Sequence, residues 1–177
     1  IALTSEHKLS VDNVASIHVG TYSKGVEICG NRDPKTVYEA KFSLPYAVAV
    51  GLVLGRARFA AFSDEKLNDP DIRSVMSRID FETDPDAEAR FPNFRSATVK
   101  VETKDGTRYE HHSPTRKGDP DNPLSDAELE DKYRELVEPV IGPESASVLL
   151  EECWQLEKID DVARIFRDCN ASLAQSI

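Results

Sequence analysis

Tyr46 is the residue of this 177-residue chain best placed to do chemistry. It follows Ser43-Leu44-Pro45 at the start of a strongly apolar run. Ser43 can cap the first free backbone N–H groups of a helix, and Pro45 is tolerated in the first turn, where a missing donor costs nothing. Tyr46 then stands one turn in, at the mouth of the helix, beside N–H groups that attract anions. A phenol there can pass a proton or hydrogen-bond a developing enolate, provided a nearby cation or dipole stabilises its anion. The plainer reading is a helix-end tyrosine, half buried, with its hydroxyl in water. The two flanking polar residues also have plain readings, Lys41 as a surface lysine and Ser43 as the cap.

The other chemically able side chains do not assemble a site. His18 lies in an alternating run and reads as a strand-face residue; His7 sits near a helix end. His111 and His112 are adjacent on an expected strand, so they point to opposite faces and cannot share one ion. The acidic stretch with Asp119, Asp121 and Asp126 lacks the glycine and terminal glutamate of a calcium loop, which leaves capping and solvation. There is no phosphate-cradling glycine loop and no nucleophile elbow. Cys29, Cys153 and Cys169 are odd in number and lack metal spacing; Cys153 and Cys169 fall in apolar helical patterns that predict buried, reduced thiols. No metal site is expected.

Several elements must hold Tyr46 in place. Ile1 to Leu9 reads as the end of a helix, and Val14 to Tyr22 alternates with β-branched residues as a strand. A polar stretch with Gly25, Gly30 and Asp33-Pro34 separates that strand from the Tyr46 helix, which is apolar almost all round and therefore packed inside protein; Gly55 offers its stop. Asp69-Pro70 starts a helix carrying Ile72, Val75, Met76 and Ile79 at helical spacing. Asp80 to Asp84 is a short strand and Pro85 to Pro92 a polar loop. Ala97 to Glu102 and Thr107 to His112 form a hairpin about Asp105-Gly106.

After a loop rich in Gly, Asp and Pro, Ser125 and Glu128 make a capping box, with Leu124 and Leu129 as its hydrophobic staple. That helix carries Leu129, Tyr133, Leu136, Val137 and Val140 on one face and ends at Gly142-Pro143. Two further helices are expected, one through Val148 to Leu156 and one through Ile159, Phe166 and Cys169. The order predicts an α+β fold: a small, mostly antiparallel sheet packed with helices over residues 1–142, then C-terminal helices over residues 143–177.

The chain is long enough to bury a real core. Its formal net charge of −10 argues against nucleic acid and anionic membrane as partners. A locally basic site for an anionic substrate remains compatible with that charge. No apolar run is long enough to span a bilayer, and the cysteine usage fits a reducing, cytoplasmic setting.

Glu39-Ala40-Lys41-Phe42-Ser43-Leu44-Pro45-Tyr46 resembles a segment of the MmgE/PrpD family, which includes 2-methylcitrate dehydratases, cis-aconitate decarboxylases and iminodisuccinate epimerases. Asn68-Asp69-Pro70 and Gly118-Asp119-Pro120-Asp121-Asn122-Pro123-Leu124-Ser125 follow in the matching order, so the likeness runs from about Val14 to about Asp168. The resemblance implies a lid-type α+β domain, with last helices that return to a large helical domain preceding the matched region. It implies cofactor-free chemistry on a small polycarboxylate: proton abstraction α to a carboxylate, followed by dehydration, epimerisation or decarboxylation. It gives Tyr46 a catalytic or substrate-orienting role. Beside it, Lys41 can balance substrate carboxylates and Ser43 can hydrogen-bond one, but other members of the family vary at these flanking positions, and for Ser43 the cap is the better reading. Phe42 stands where some members carry a histidine, so that role is absent here. The general base and most carboxylate ligands of the family belong to the preceding helical domain, so this stretch alone is expected to be inactive, a C-terminal portion of a homodimeric enzyme. The competing expectation is a non-enzymatic, acidic α+β module that binds a protein through the apolar faces of its terminal helices.

Overall fold

Alternation between apolar and polar side chains builds a four-stranded sheet in the computed structural model, which describes residues 1–163 and residue 165. In chain order, α1 (Ala2–His7) leads into β1 (Val14–Thr21), then α2 (Ser23–Cys29), α3 (Val37–Ala40) and α4 (Leu44–Val53). A 3-10 turn (Phe59–Ala61), α5 (Asp64–Leu67) and α6 (Pro70–Met76) return the chain to β2 (Ile79–Thr83). After α7 (Pro85–Arg90) come β3 (Ala97–Thr103) and β4 (Arg108–Ser113), and then α8 (Asp126–Ile141) and α9 (Pro143–Trp154).

The sheet order is β2-β1-β3-β4. β1 pairs parallel with β2 and antiparallel with β3, and β3 pairs antiparallel with β4. The fold is therefore α+β with a mostly antiparallel sheet. Register sorts the faces. Ile79, Ile17, Val101 and Tyr109 stand in one row across the four strands, and Phe81, Val19, Val99 and His111 in the next. These rows belong to the apolar face, in which Ile17, Val19, Ile79 and Val101 are buried. Asp80, His18, Lys100 and Glu110 form a polar row on the opposite face. The Asp105-Gly106 turn forms as its residues predict: Gly106 takes φ +87°, and Asp105 Oδ1 accepts from the Thr107 N–H at 3.0 Å. His111 and His112 do fall on opposite faces, the second with its Nδ1 3.0 Å from Thr98 Oγ1.

The core joins this sheet face to α4 and α6, with Tyr46, Ala49, Val50, Ile72 and Val75 buried in it. Four local readings need correction. Ile79 is not helical: α6 ends at Met76, and Arg78 already accepts the Ile17 N–H through its carbonyl at 3.0 Å, so Ile79 belongs to the sheet. The polar stretch after β1 contains a helix, α2, whose first N–H is capped from afar by Glu88 Oε2 at 2.7 Å. The expected loop from Pro85 to Pro92 holds α7, capped by Asp84, whose side chain accepts from the Ala87 N–H. Cys153 is exposed, not buried, because it lies in the last turn of α9, beyond the inward-facing Ala146 and Leu150.

The chain divides into two compact units, Ile1–Asn122 and Pro123–Ile177. α8 and α9 both belong to the second unit. Within the second unit these two helices make a hairpin. The Tyr133 hydroxyl donates to the Ala146 carbonyl at 2.9 Å, and Trp154 Nε1 donates to Glu130 at 3.0 Å. Ser125 and Glu128 form the complete capping box. Most of the expected last helix, with Phe166 and Cys169, lies outside the described residues. No helix among the described residues is long and apolar enough to cross a membrane.

Candidate active site

The site is built from the entry of α4. Ser43 is extended at φ −112°, ψ 109°, and its Oγ accepts the Tyr46 N–H at 3.2 Å while donating to the Asn31 carbonyl at 2.6 Å. One hydroxyl therefore caps the helix and pins it to the loop before α3. Both functions are structural, and Ser43 is itself buried. This leaves its hydroxyl committed to backbone groups, so the capping role is the one that the geometry displays.

Tyr46 sits deeper than a helix-end tyrosine with a wet hydroxyl: its exposure is 0%. The hydroxyl donates to the Ala61 carbonyl at 2.7 Å, and the Phe62 ring lies 5.7 Å from the Tyr46 ring, tilted by 45°. Burial raises the phenol pKa; Arg73 pulls it back down and Asp69 adds to the rise. At neutral pH Tyr46 is thus a neutral hydrogen-bond donor. A phenol raised in this way suits hydrogen bonding to an oxyanion better than proton abstraction.

The sequence marks Asp69 as a helix start but gives no role to Arg73 or Ala61. Arg73 is the organising cation: its Nε donates to the Leu67 carbonyl at 2.6 Å, Nη2 to the Pro34 carbonyl at 2.8 Å and Nη1 to Asp33 at 3.1 Å. Lys35 and Arg73 together hold the Asp33 carboxyl below its usual range. Asp69 caps α6, accepting from the Asp71 and Ile72 N–H groups. A signal was available, since Arg73 lies one turn beyond the Asp69-Pro70 start. The Ala61 contact had none, because a backbone carbonyl carries no residue signature.

Lys41 is exposed at the end of α3. The neighbouring Phe42 ring packs 5.3 Å from Tyr38. A cavity of about 280 Å³ opens on another side of α4, walled by Leu44, Ala47, Val48 and Gly51 together with Ile1, Leu3 and His111. Its walls are almost wholly apolar and do not include Tyr46, so it is no receptacle for a polycarboxylate. Among the described residues no group of three or more His, Cys, Asp or Glu is arranged to hold a metal ion. Asp119, in the acidic loop, is paired with Arg116 at 2.8 Å, which lowers its pKa.

The profile of the MmgE/PrpD C-terminal domain matches residues 1–156. Cis-aconitate decarboxylase from Homo sapiens is 27% identical over 128 residues, which cover 72% of this chain and 26% of that protein. Cis-aconitate decarboxylase from Mus musculus is 25% identical over 134 residues, 76% of this chain and 27% of that protein. The chain spans about a quarter of the length of the relatives it matches.

Proposed function

Because this chain belongs to the MmgE/PrpD family, we propose that it is the C-terminal portion of an enzyme acting on a small polycarboxylate, with Tyr46 donating to an oxygen of the reacting carbon framework. The observation that carries this reading is the match to two cis-aconitate decarboxylases over about three quarters of the chain. Their names favour decarboxylation among the three outcomes. In that reaction the bond from carbon to one carboxylate breaks and carbon dioxide leaves. The electron pair stays on carbon, is delocalised into a neighbouring unsaturated or carboxyl group, and is finally captured by a proton. A neutral, buried phenol serves such a step by hydrogen-bonding the oxygen on which charge develops. Dehydration and epimerisation share the α-carbanion character and would use the same donor.

Further residues of the site, including the general base, are assigned to the part of the family enzyme that this chain does not span. On this reading the isolated chain is inactive, and the whole enzyme is a homodimer in the cytoplasm. Lys41 supplies positive charge on the approach to the site, while Ser43 acts through its cap and not through the substrate. Carbon-13-labelled cis-aconitate supplied in deuterium oxide tests the reaction class by NMR. Labelled carbon dioxide together with deuterium at a product carbon supports decarboxylation. Deuterium exchange or water addition without carbon dioxide selects the other outcomes, and an unchanged spectrum in the presence of the whole enzyme counts against polycarboxylate chemistry on this substrate.

A further inference from the structure

The hydroxyl that the proposed chemistry needs is tied to one short segment. We propose that residues 55–62 are a strap latched by Tyr46, which must be released before the phenol can meet a substrate; the gating role rests on the catalytic reading of Tyr46. The latch is the hydrogen bond from the Tyr46 hydroxyl to the Ala61 carbonyl at 2.7 Å, reinforced by the Phe62 ring at 5.7 Å. With Tyr46 at 0% exposure, its donor is beyond the reach of any ligand while this bond holds.

The segment is built to move as a piece. It begins at Gly55, whose φ of +71° L side chains rarely adopt, and a Cβ added there would meet nothing within 4 Å, so the joint has both freedom and room. It ends at Ser63, whose side chain accepts from the Lys66 N–H and starts α5. Between these ends the backbone closes on itself in one 3-10 turn: the Ala61 N–H donates to the Arg58 carbonyl and the Phe62 N–H to the Phe59 carbonyl, both at 3.0 Å. The turn can therefore shift without unravelling. Its anchorage is uneven: Phe59 is 68% exposed, while Ala61 is buried at 3% and Phe62 packs against the core, so the Ala61–Phe62 end is the part that the latch holds in place.

Release exchanges acceptors. The phenol gives up one carbonyl oxygen and gains another when a carboxylate or enolate oxygen arrives, so an anionic substrate favours the open arrangement by its differential contact with it.

Amide hydrogen exchange of the chain tests the latch without recourse to activity. Tyr46→Phe removes the hydrogen bond, and Phe62→Leu removes the ring contact while keeping Tyr46, which serves if the first variant folds poorly. Either variant should raise exchange at the Ala61 and Phe62 amides by roughly three- to tenfold, in keeping with one modest interaction. The Ile17 and Val101 amides in the sheet should keep their wild-type rates. Unchanged exchange at Ala61 and Phe62 in both variants would overturn the strap, as would a rise shared equally by the sheet. Loss of turnover in Tyr46→Phe without the local rise would remove the strap and leave the proposed function. The local rise with full turnover would leave the hydrogen bond as a structural one and remove its gating role.

Discussion

At Tyr46 one oxygen atom carries two demands. The fold uses its proton to bind Ala61, and the proposed chemistry needs the same proton for a substrate oxygen. Burial keeps the phenol neutral beyond its ordinary range. This has a stability consequence with a definite sign. Above the ordinary phenol pKa near 10 the unfolded chain ionises Tyr46 while the folded chain still holds the proton, so the folded state binds more protons and loses stability as pH rises. Urea midpoints taken from pH 9 upward should therefore fall more steeply for wild type than for Tyr46→Phe, and parallel curves would contradict the buried donor. Ser43 gives a second prediction at this scale. Ser43→Ala deletes the cap and the bond to the Asn31 carbonyl together, and should cost about 2 kcal/mol in urea unfolding with an unchanged m value. A cost below about 0.5 kcal/mol would mean that water replaces both contacts.

Among the elements, α6 does the positioning. Arg73 ties it to the Leu67 carbonyl and to the loop at Asp33 and Pro34, while Ser43 ties the same loop, at Asn31, to α4. Arg73→Gln should loosen this corner and also move the Tyr46 phenol further up, because the arginine's positive charge pulls the phenol pKa down. Ultraviolet difference titration against Tyr46→Phe reads that shift, and a downward movement would contradict the assignment.

The same elements explain how much could be read without coordinates. The Asp105-Gly106 hairpin, the β1 strand, the capped α4 and the Ser125 box are local, with side chain and backbone within a few residues, and each was legible. α2 was not, because its cap comes from Glu88, 65 residues away in sequence. α7 carries a local signal, since Asp84-Pro85 repeats the Asp69-Pro70 start, but the polar composition of Pro85 to Pro92 masks it. Tyr46 as a residue of interest was visible, but its latch was not, since the partner is a carbonyl brought in by tertiary folding.

For the whole molecule, the core cluster runs from Leu3 to Val101 and lies wholly within Ile1–Asn122. A chain cut after Asn122 should accordingly keep the sheet and unfold cooperatively, as followed by circular dichroism in urea. A featureless spectrum would show instead that residues beyond 122 are needed to form that core. This chain's net charge of −10 sets a wider frame: under the proposed function, an anionic substrate would approach it only at a locally favourable patch, which makes binding sensitive to the loss of single cations. The proposed function has Tyr46 serve polycarboxylate chemistry in an enzyme of which this chain is one portion. Its most direct test is turnover of cis-aconitate, citrate, 2-methylcitrate and iminodisuccinate by the whole enzyme, wild type beside Tyr46→Phe. Turnover of at least one of these acids is expected, with kcat reduced by about a hundredfold or more in a variant that remains folded; equal kcat in a folded Tyr46→Phe enzyme would remove Tyr46 from the chemistry.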